Sequence, residues 1–210
     1  MSPAIATIVA VLLGYGLGCF STGYHVSQRW GGVDPRGVGT GSSGARNVGR
    51  LVGRWGFAAT VAGDLGKGAL APVVATWVGA DAWGVAAAAV AVVVGHVWPA
   101  ALGFRGGRGL TPALGAILVV AWPIATVTCV VAAVLVKVVR RATWAALVAV
   151  GLSPVVSIVS GQPAPVVAAT GAIVVIVTVS HWPYAVAMAQ ALTGHLAGRR
   201  LPAGEGVDHR

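Results

Sequence analysis

The chain has 210 residues, of which 57% are hydrophobic and only 9% are charged, and its net charge is +9. This composition excludes an ordinary soluble domain and indicates one integral membrane domain, because the charges cluster and leave apolar stretches near the roughly 20 residues that cross a bilayer. The positive charge does not point to nucleic acid. The basic residues lie in short loops beside apolar runs, where membrane topology and anionic ligands explain them better.

The first apolar run covers residues 4–24 and has no basic region before it, so we expect a retained first helix rather than a cleaved signal peptide. The next segment, 25–54, is long for a connection between membrane helices. Within it, residues 37–44 read Gly-Val-Gly-Thr-Gly-Ser-Ser-Gly, which is typical of a flexible linker or of a backbone cradle for an anion. A linker alone would not need Arg46 and Arg50, which share one face if the segment is helical. We therefore favour the anion cradle.

The second apolar run, 55–80, contains two charges, Asp64 and Lys67. Charges inside a membrane span are costly and usually pair or line a functional cavity. Their i,i+3 spacing allows an ion pair on one helix face. Two hypotheses follow: a structural pair, or a site in which Lys67 binds phosphate while Asp64 orients it.

The third run, 82–102, leads into the most informative segment, Gly95 to Gly109, which reads Gly-His-Val-Trp-Pro-Ala-Ala-Leu-Gly-Phe-Arg-Gly-Gly-Arg-Gly. Glycine backbones can close around an anion, and Arg105 and Arg108 add charge and forked donors. The segment predicts a phosphate site where a membrane helix meets water. His96 lies beside it, either as a phosphate donor or proton carrier or as a packing residue.

The number of crossings depends on how the last part of the chain is divided. Three apolar runs follow, at 110–136, 142–160 and 164–182. If each crossed once, Lys137, Arg140 and Arg141 would face the side opposite to the other basic loops, against the positive-inside rule. A break at Trp122-Pro123 removes the conflict, because proline ends or kinks a helix.

We therefore predict an all-α polytopic membrane protein of about seven helices, with short halves at 110–122 and 124–139. The N-terminus is predicted outside and the C-terminus and every basic loop in the cytoplasm. Six spans with one kinked helix is the alternative. Residues 1–182 are predicted to form one membrane domain and 183–210 a cytoplasmic tail.

The cysteines suggest neither a disulfide nor a metal site. Cys19 and Cys129 each lie alone in an apolar run, and no metal-ligand spacing occurs. We expect no metal and no cofactor. No feature indicates a nucleic acid or an obligate protein partner.

Taken in order over residues 10–182, these motifs resemble the bacterial membrane glycerol-3-phosphate acyltransferases that use acyl-phosphate, the PlsY family. The segments that carry the resemblance are Gly18-Cys19-Phe20-Ser21-Thr22-Gly23-Tyr24, Asp34-Pro35-Arg36 with the stretch from Gly39 to Arg50, Asp64-Leu65-Gly66-Lys67-Gly68-Ala69, and Gly95 to Gly109. The resemblance implies a seven-helix fold in the bacterial plasma membrane with a cytoplasmic active site. It also implies acyl transfer from acyl-phosphate to the 1-hydroxyl of glycerol 3-phosphate, which gives lysophosphatidic acid and phosphate.

The residue types fit this chemistry, since both substrates carry phosphate and acyl-phosphate already has a good leaving group. The expected catalytic residues are Arg108, Arg50 and His96. Arg108 is the first choice for the catalytic cation, and Arg50 is expected to bind glycerol 3-phosphate. The expected substrate- and phosphate-binding residues are Thr40, Gly41, Ser42, Ser43, Arg46, Asn47, Lys67, Arg105, Gly106, Gly107 and Gly109. Membrane lipids surround the site, and the acyl chain is expected among apolar side chains at the membrane face.

The chain departs from the family pattern in several places. The family has serine at Thr40, asparagine at Ser42, threonine at Arg46, and lysine at Arg105 and Arg108. Its third motif, a His-Arg-x-Asn run, is nearly absent after His181. Two alternatives stay open: a catalytically diverged protein of the same fold that binds an anionic lipid or phosphate, and a small transporter, suggested by Asp64 and Lys67.

Overall fold

Helices form every regular element of the part of the chain that the structure, a computed structural model, describes. That part is residues 1–196, without the side chains of 184–185, 187–189 and 191–196. The helices are α1 Pro3–Cys19, α2 Thr22–Gly31, α3 Ala45–Trp77, α4 Ala82–Val97, a 3-10 turn Ala100–Leu102, α5 Leu110–Val120, α6 Trp122–Val139, α7 Ala142–Gly151, α8 Ser153–Val159 and α9 Ala164–Leu196. The predicted all-helical membrane class is confirmed.

The chain divides into one unit of residues 1–180 and a second that begins at His181. Helix α9 continues to Leu196, beyond the predicted boundary between 182 and 183. The rest of the predicted tail, residues 197–210, lies outside the described residues. The division into a membrane domain and a tail stays a prediction.

The segment predicted as the first loop, 25–54, is largely helical. Phe20 and Ser21 are extended, so the single helix expected over 4–24 is wrong at its end, and α2 continues to Gly31. Helix α3 begins at Ala45, before the apolar run starts. Hydropathy marks only the apolar part of a helix, and these added turns are polar, which explains both differences.

Helix α3 bends at Gly53, where φ is 82° and ψ is −174°, a backbone region that glycine enters without a Cβ penalty. The bend separates residues 45–51, which carry Arg46 and Arg50, from the long part that carries Asp64 and Lys67. The two helical parts of α3 therefore position two different groups of charges.

The predicted break at Trp122-Pro123 is confirmed. Helix α5 ends at Val120, Ala121 is non-helical with φ −160° and ψ 73°, and α6 begins at Trp122. Pro123 occupies the first turn of α6, where its missing N–H has no helical partner to lose.

Five helical segments of the described chain are long and apolar enough to cross a membrane. They are Pro3–Gly31, Ala82–Leu102, Trp122–Val139, Ala142–Val159 and Ala164–Pro183. Helix α3 carries several charges and α5 has 11 residues, so neither meets these limits. Seven crossings, with both of them included, stays a prediction.

Glycines let the helices that lead to the functional site approach closely. A Cβ at Gly18 of α1 would overlap the carbonyl oxygen of Val92 on α4, and one at Gly68 of α3 would overlap that of Pro112 on α5. Small residues have this role where lipid supplies no hydrophobic drive between helices. The apolar core beside these contacts includes Val92, Val93, Ile117, Ile124, Ile173 and Val177. These contacts fix the end of α1 against α4, and the middle of α3 against the start of α5.

Candidate active site

Asn47 shapes the first glycine-rich loop, residues 32–44, from within. Its Nδ2 donates to the carbonyl oxygens of Pro35 at 2.7 Å, Val38 at 2.9 Å and Ser42 at 3.0 Å. Its Oδ1 accepts from the backbone N–H of Thr40 at 3.0 Å. With 1% of its surface exposed, Asn47 is buried and its amide is used inside the loop. It supports the site from behind instead of presenting a donor to a ligand.

The second glycine-rich loop, residues 103–109, folds back on the end of α4. The N–H of Gly106 donates to the carbonyl of Val97 at 3.1 Å, and that of Gly107 to the carbonyl of His96 at 3.0 Å. A Cβ at Gly107 would overlap Nε2 of the His96 ring. Both glycine N–H groups therefore already have hydrogen-bond partners. The role of these glycines is to let the loop backbone approach α4 closely.

The two loops contact each other, although 68 residues separate Arg108 from Thr40. Nη2 of Arg108 donates to the carbonyl of Thr40 at 3.1 Å. The backbone N–H of Ser43 donates to the carbonyl of Gly106 at 3.3 Å. The two segments predicted separately as anion cradles therefore lie against each other.

Arg36 ties the first loop to the start of the second. Its guanidinium forms an ion pair with Asp34 at 2.7 Å, and its Nη1 donates to the carbonyl of Leu102 at 2.6 Å. The hydrogen bond from Arg36 is the main cause that lowers the pKa of Asp34, and the charge of Arg105 adds to it. The same pair raises the pKa of Arg36. Arg36 is thus a structural cation whose charge is already balanced.

The remaining arginines, two on the second loop and two on the first part of α3, differ in how they are held. Arg108 is half-buried and bound to the first loop. Arg46 is exposed and donates to the hydroxyl of Thr143 at the start of α7. The side chains of Arg50 and Arg105 are exposed, and their guanidinium groups make no hydrogen bond with any described residue, so they can turn to a ligand.

The serines predicted to bind phosphate are used within the protein. Oγ of Ser42 accepts from the N–H of Gly44 at 3.1 Å and closes a turn. Ser43 is fully buried, and its Oγ accepts from Oγ of Ser21 at 3.0 Å. Thr40 is half-buried and Gly41 exposed, so these two residues form the open edge of the first loop.

Asp64, Lys67 and His96 form a buried group behind the second loop. Nζ of Lys67 lies 3.1 Å from Oδ1 of Asp64 and donates to the carbonyls of Gly18 at 3.2 Å and Phe20 at 2.7 Å. The ion pair predicted from the i,i+3 spacing is present. Lys67 is buried, with 6% of its side chain exposed, and two of its three N–H donors bind the carbonyls at the end of α1.

Sequence reasoning missed two supporting contacts. The hydroxyl of Tyr15 donates to the carbonyl of Trp98 at 3.0 Å, which joins α1 to the residue that ends α4. A lone tyrosine in an apolar run could have predicted a hydrogen bond to another element, because a buried tyrosine hydroxyl needs a partner. The hydroxyl of Ser21 had no such signal, since its partner Ser43 lies in another element.

The fold and these loops define a class: a polytopic membrane protein in which two glycine-rich loops, with arginines on or beside them, contact each other near the ends of helices. The family described as glycerol-3-phosphate acyltransferase matches residues 8–191. The enzyme named glycerol-3-phosphate acyltransferase 1 of Desulfitobacterium hafniense (strain Y51) is 36% identical over 171 residues, which cover 81% of this chain and 85% of that protein. The glycerol-3-phosphate acyltransferase of Rubrobacter xylanophilus is 40% identical over 160 residues, with 76% and 80% covered.

Two solved structures of PlsY (YgiH), described as an integral membrane glycerol 3-phosphate acyltransferase, share the fold. Its glycerol 3-phosphate form has a TM-score of 0.78 and 27% identity, and covers 94% of this chain and 96% of that one. Its lysophosphatidic acid form has a TM-score of 0.76 and 26% identity, with 94% and 95% covered. The chain belongs to the glycerol-3-phosphate acyltransferase family, and the resemblance found in its motifs is confirmed.

Proposed function

We propose that the chain transfers a fatty acyl group from acyl-phosphate to the 1-hydroxyl of glycerol 3-phosphate, giving lysophosphatidic acid and phosphate. The observation that carries the proposal is the contact between the two glycine-rich loops, with Arg108 bonded across to Thr40. It gathers cations where two phosphate-bearing substrates must meet. The two PlsY structures, described as the glycerol 3-phosphate and lysophosphatidic acid forms, support the same substrate and product.

The reaction needs no cofactor to balance. The 1-hydroxyl oxygen forms a bond to the acyl carbon, the bond between that carbon and the phosphate oxygen breaks, and the hydroxyl proton ends on the released phosphate. Because the leaving group is good, positioning and charge stabilisation are the main demands on the protein.

Arg108 is the proposed catalytic cation. It is half-buried and held by the first loop, so its charge is in place before charge develops on the reacting oxygens. Arg50, on the first part of α3, and Arg105, on the second loop, are exposed and are proposed to bind the substrate phosphates. His96 stands directly behind Gly107, and Thr40 and Gly41 form the open edge.

An apolar groove suits the acyl chain. It lies between α1, α4 and α9, has a volume of about 530 Å³, and is lined by residues that include Leu12, Tyr15, Val90, Val94, Ala169 and Ala172. Its volume is in the range of lipid and small-molecule sites. Since Tyr15 also binds the carbonyl of Trp98, this end of the groove lies at the end of α4, the helix that precedes the second loop.

The proposed location is the bacterial plasma membrane, with the site facing the cytoplasm. The contact between Arg46 and Thr143 places the start of α3 and the start of α7 on one side of the protein. The first loop and the basic connection before α7 then share a side. The seven-helix topology requires this arrangement, and the positive-inside rule makes that side cytoplasmic.

The test is an assay of purified protein with palmitoyl-phosphate and radiolabelled glycerol 3-phosphate, with palmitoyl-CoA as the donor in a parallel reaction. We expect labelled lysophosphatidic acid from palmitoyl-phosphate alone. Folded protein that binds glycerol 3-phosphate without turnover would favour the diverged binding protein. Flux of label into sealed vesicles would favour the transporter.

A further inference from the structure

Oδ1 of Asp64 faces two groups at once. It lies 3.1 Å from Nζ of Lys67 and 3.6 Å from Nδ1 of His96. Asp64 is 1% and His96 3% exposed, so the group has no access to bulk water. Among the described residues, neither Oδ1 of Asp64 nor Nδ1 of His96 has a hydrogen-bond partner. Two buried polar atoms without partners, facing each other, cost free energy unless they interact.

The position of the proton on the His96 imidazole decides whether these two atoms can form a hydrogen bond. If Nδ1 carries the proton, it becomes a donor directed at the carboxylate, and both unsatisfied atoms gain a partner with a small movement of the ring. The tautomer of a histidine is set by the hydrogen bond of its other nitrogen. Nε2, which lies against Gly107, is then unprotonated.

We propose that Asp64 is a positioning residue for the second loop, acting through the Nδ1-protonated tautomer of His96. The ring of His96 packs against Gly107, and the backbone carbonyl of His96 accepts a hydrogen bond from the N–H of Gly107. Gly107 is the residue before Arg108. A carboxylate that fixes the ring therefore fixes the backbone from which the catalytic cation extends. Lys67 balances the charge of the same carboxylate and caps the end of α1.

The kinetic part of this proposal rests on the proposed function, whereas the tautomer of His96 does not. A plain ion pair between Asp64 and Lys67 predicts that any neutral replacement of the two serves equally well. A positioning carboxylate predicts that position 64 must still offer an oxygen to Nδ1. The two possibilities differ in both tautomer and turnover.

The experiment compares two double variants, Asp64→Asn with Lys67→Met and Asp64→Leu with Lys67→Met. Both remove the buried charges together, which proteins often tolerate, and both lose the cap on α1. They differ in whether residue 64 keeps an acceptor oxygen. Full-length protein labelled with ¹⁵N-histidine reports the tautomer in detergent, and His96→Asn identifies the signals of His96 among the five histidines.

We expect the proton on Nδ1 in the unaltered protein and in the asparagine variant, and its redistribution to Nε2 in the leucine variant. We also expect kcat of the leucine variant to lie about tenfold to a hundredfold below that of the asparagine variant, as for a misplaced catalytic group. The KM for glycerol 3-phosphate should change much less. Equal tautomers or equal kcat in the two variants would overturn the proposal. If no variant turns over acyl-phosphate, the tautomer alone still decides the role of Asp64, and the proposed function is what fails.

Discussion

The two glycine-rich loops of the site have similar compositions but different supports. The first loop is organised from its interior by one side chain of α3, since Asn47 reaches into the loop and makes four hydrogen bonds to its backbone. The second loop is held from outside, because its glycines bind the last carbonyls of α4 and rest on the ring of His96. Glycine density therefore does not by itself say how a loop is fixed. The loops should respond differently to substitution, and four experiments test this.

The largest effect is expected at Arg108, which joins the two loops. Arg108→Ala removes both the proposed catalytic charge and the bond to Thr40, and kcat should fall by at least about a hundredfold. Arg108→Lys should recover only part of it, because an ammonium lacks the planar fork. Arg54→Ala is the matched control, since Arg54 contacts only the ring of Trp55 among the described interactions. Near-normal turnover by folded Arg108→Ala protein would contradict the assigned role.

Gly107→Ala tests the external support of the second loop. The added Cβ would overlap the ring of His96, so the loop must move away from α4 and kcat should fall by up to about a hundredfold. The amount of folded protein should change little, since the core lies elsewhere. Gly16→Ala is the control, because a Cβ there meets nothing within 4 Å. If the two variants had the same kcat, the ring of His96 would not define the loop.

Asn47→Ala tests the internal support of the first loop. Three backbone carbonyls and one N–H lose their partner at a buried position, which should destabilise the folded protein by about 3 kcal/mol. The measurement is the thermal unfolding midpoint in detergent, together with the KM for glycerol 3-phosphate, which should rise. Val48→Ala, a buried neighbour on the same segment, serves as the packing control. A lowered midpoint with an unchanged KM would separate the loop from substrate binding.

The smallest effect is expected at the partly exposed pair of Asp34 and Arg36. The pKa of Asp34 is lowered in the folded protein, so its contribution to stability is present above the ordinary carboxyl pKa near 3.9. That contribution is lost as the pH falls through the lower pKa of the folded state. The midpoint of Asp34→Asn should therefore lie slightly below that of the unaltered protein at neutral pH, and the difference should shrink below about pH 4. If the difference between the two unfolding midpoints grew in acid, the predicted direction of the pH dependence would be wrong.

Several features were predictable because their signals are local. The helix break before Pro123 follows from a missing donor, and the Asp64–Lys67 pair follows from helical spacing. The extended residues Phe20 and Ser21 were not predictable in this way. Phe20 fits an apolar helix by composition, but in the structure its carbonyl accepts a hydrogen bond from Lys67 on another helix.

The sequence by itself determined the membrane class, the two glycine-rich segments and the family, because hydropathy, charge and motif order are properties of neighbouring residues. Only the tertiary structure decided which polar residues present themselves to a ligand and which support the loops. Asn47 and Ser43 have the residue types of ligand donors, yet their partners come from the folded backbone and from Ser21. A buried polar group must satisfy its hydrogen bonds with whatever partners the fold brings to it, and the local sequence does not show which partners those are.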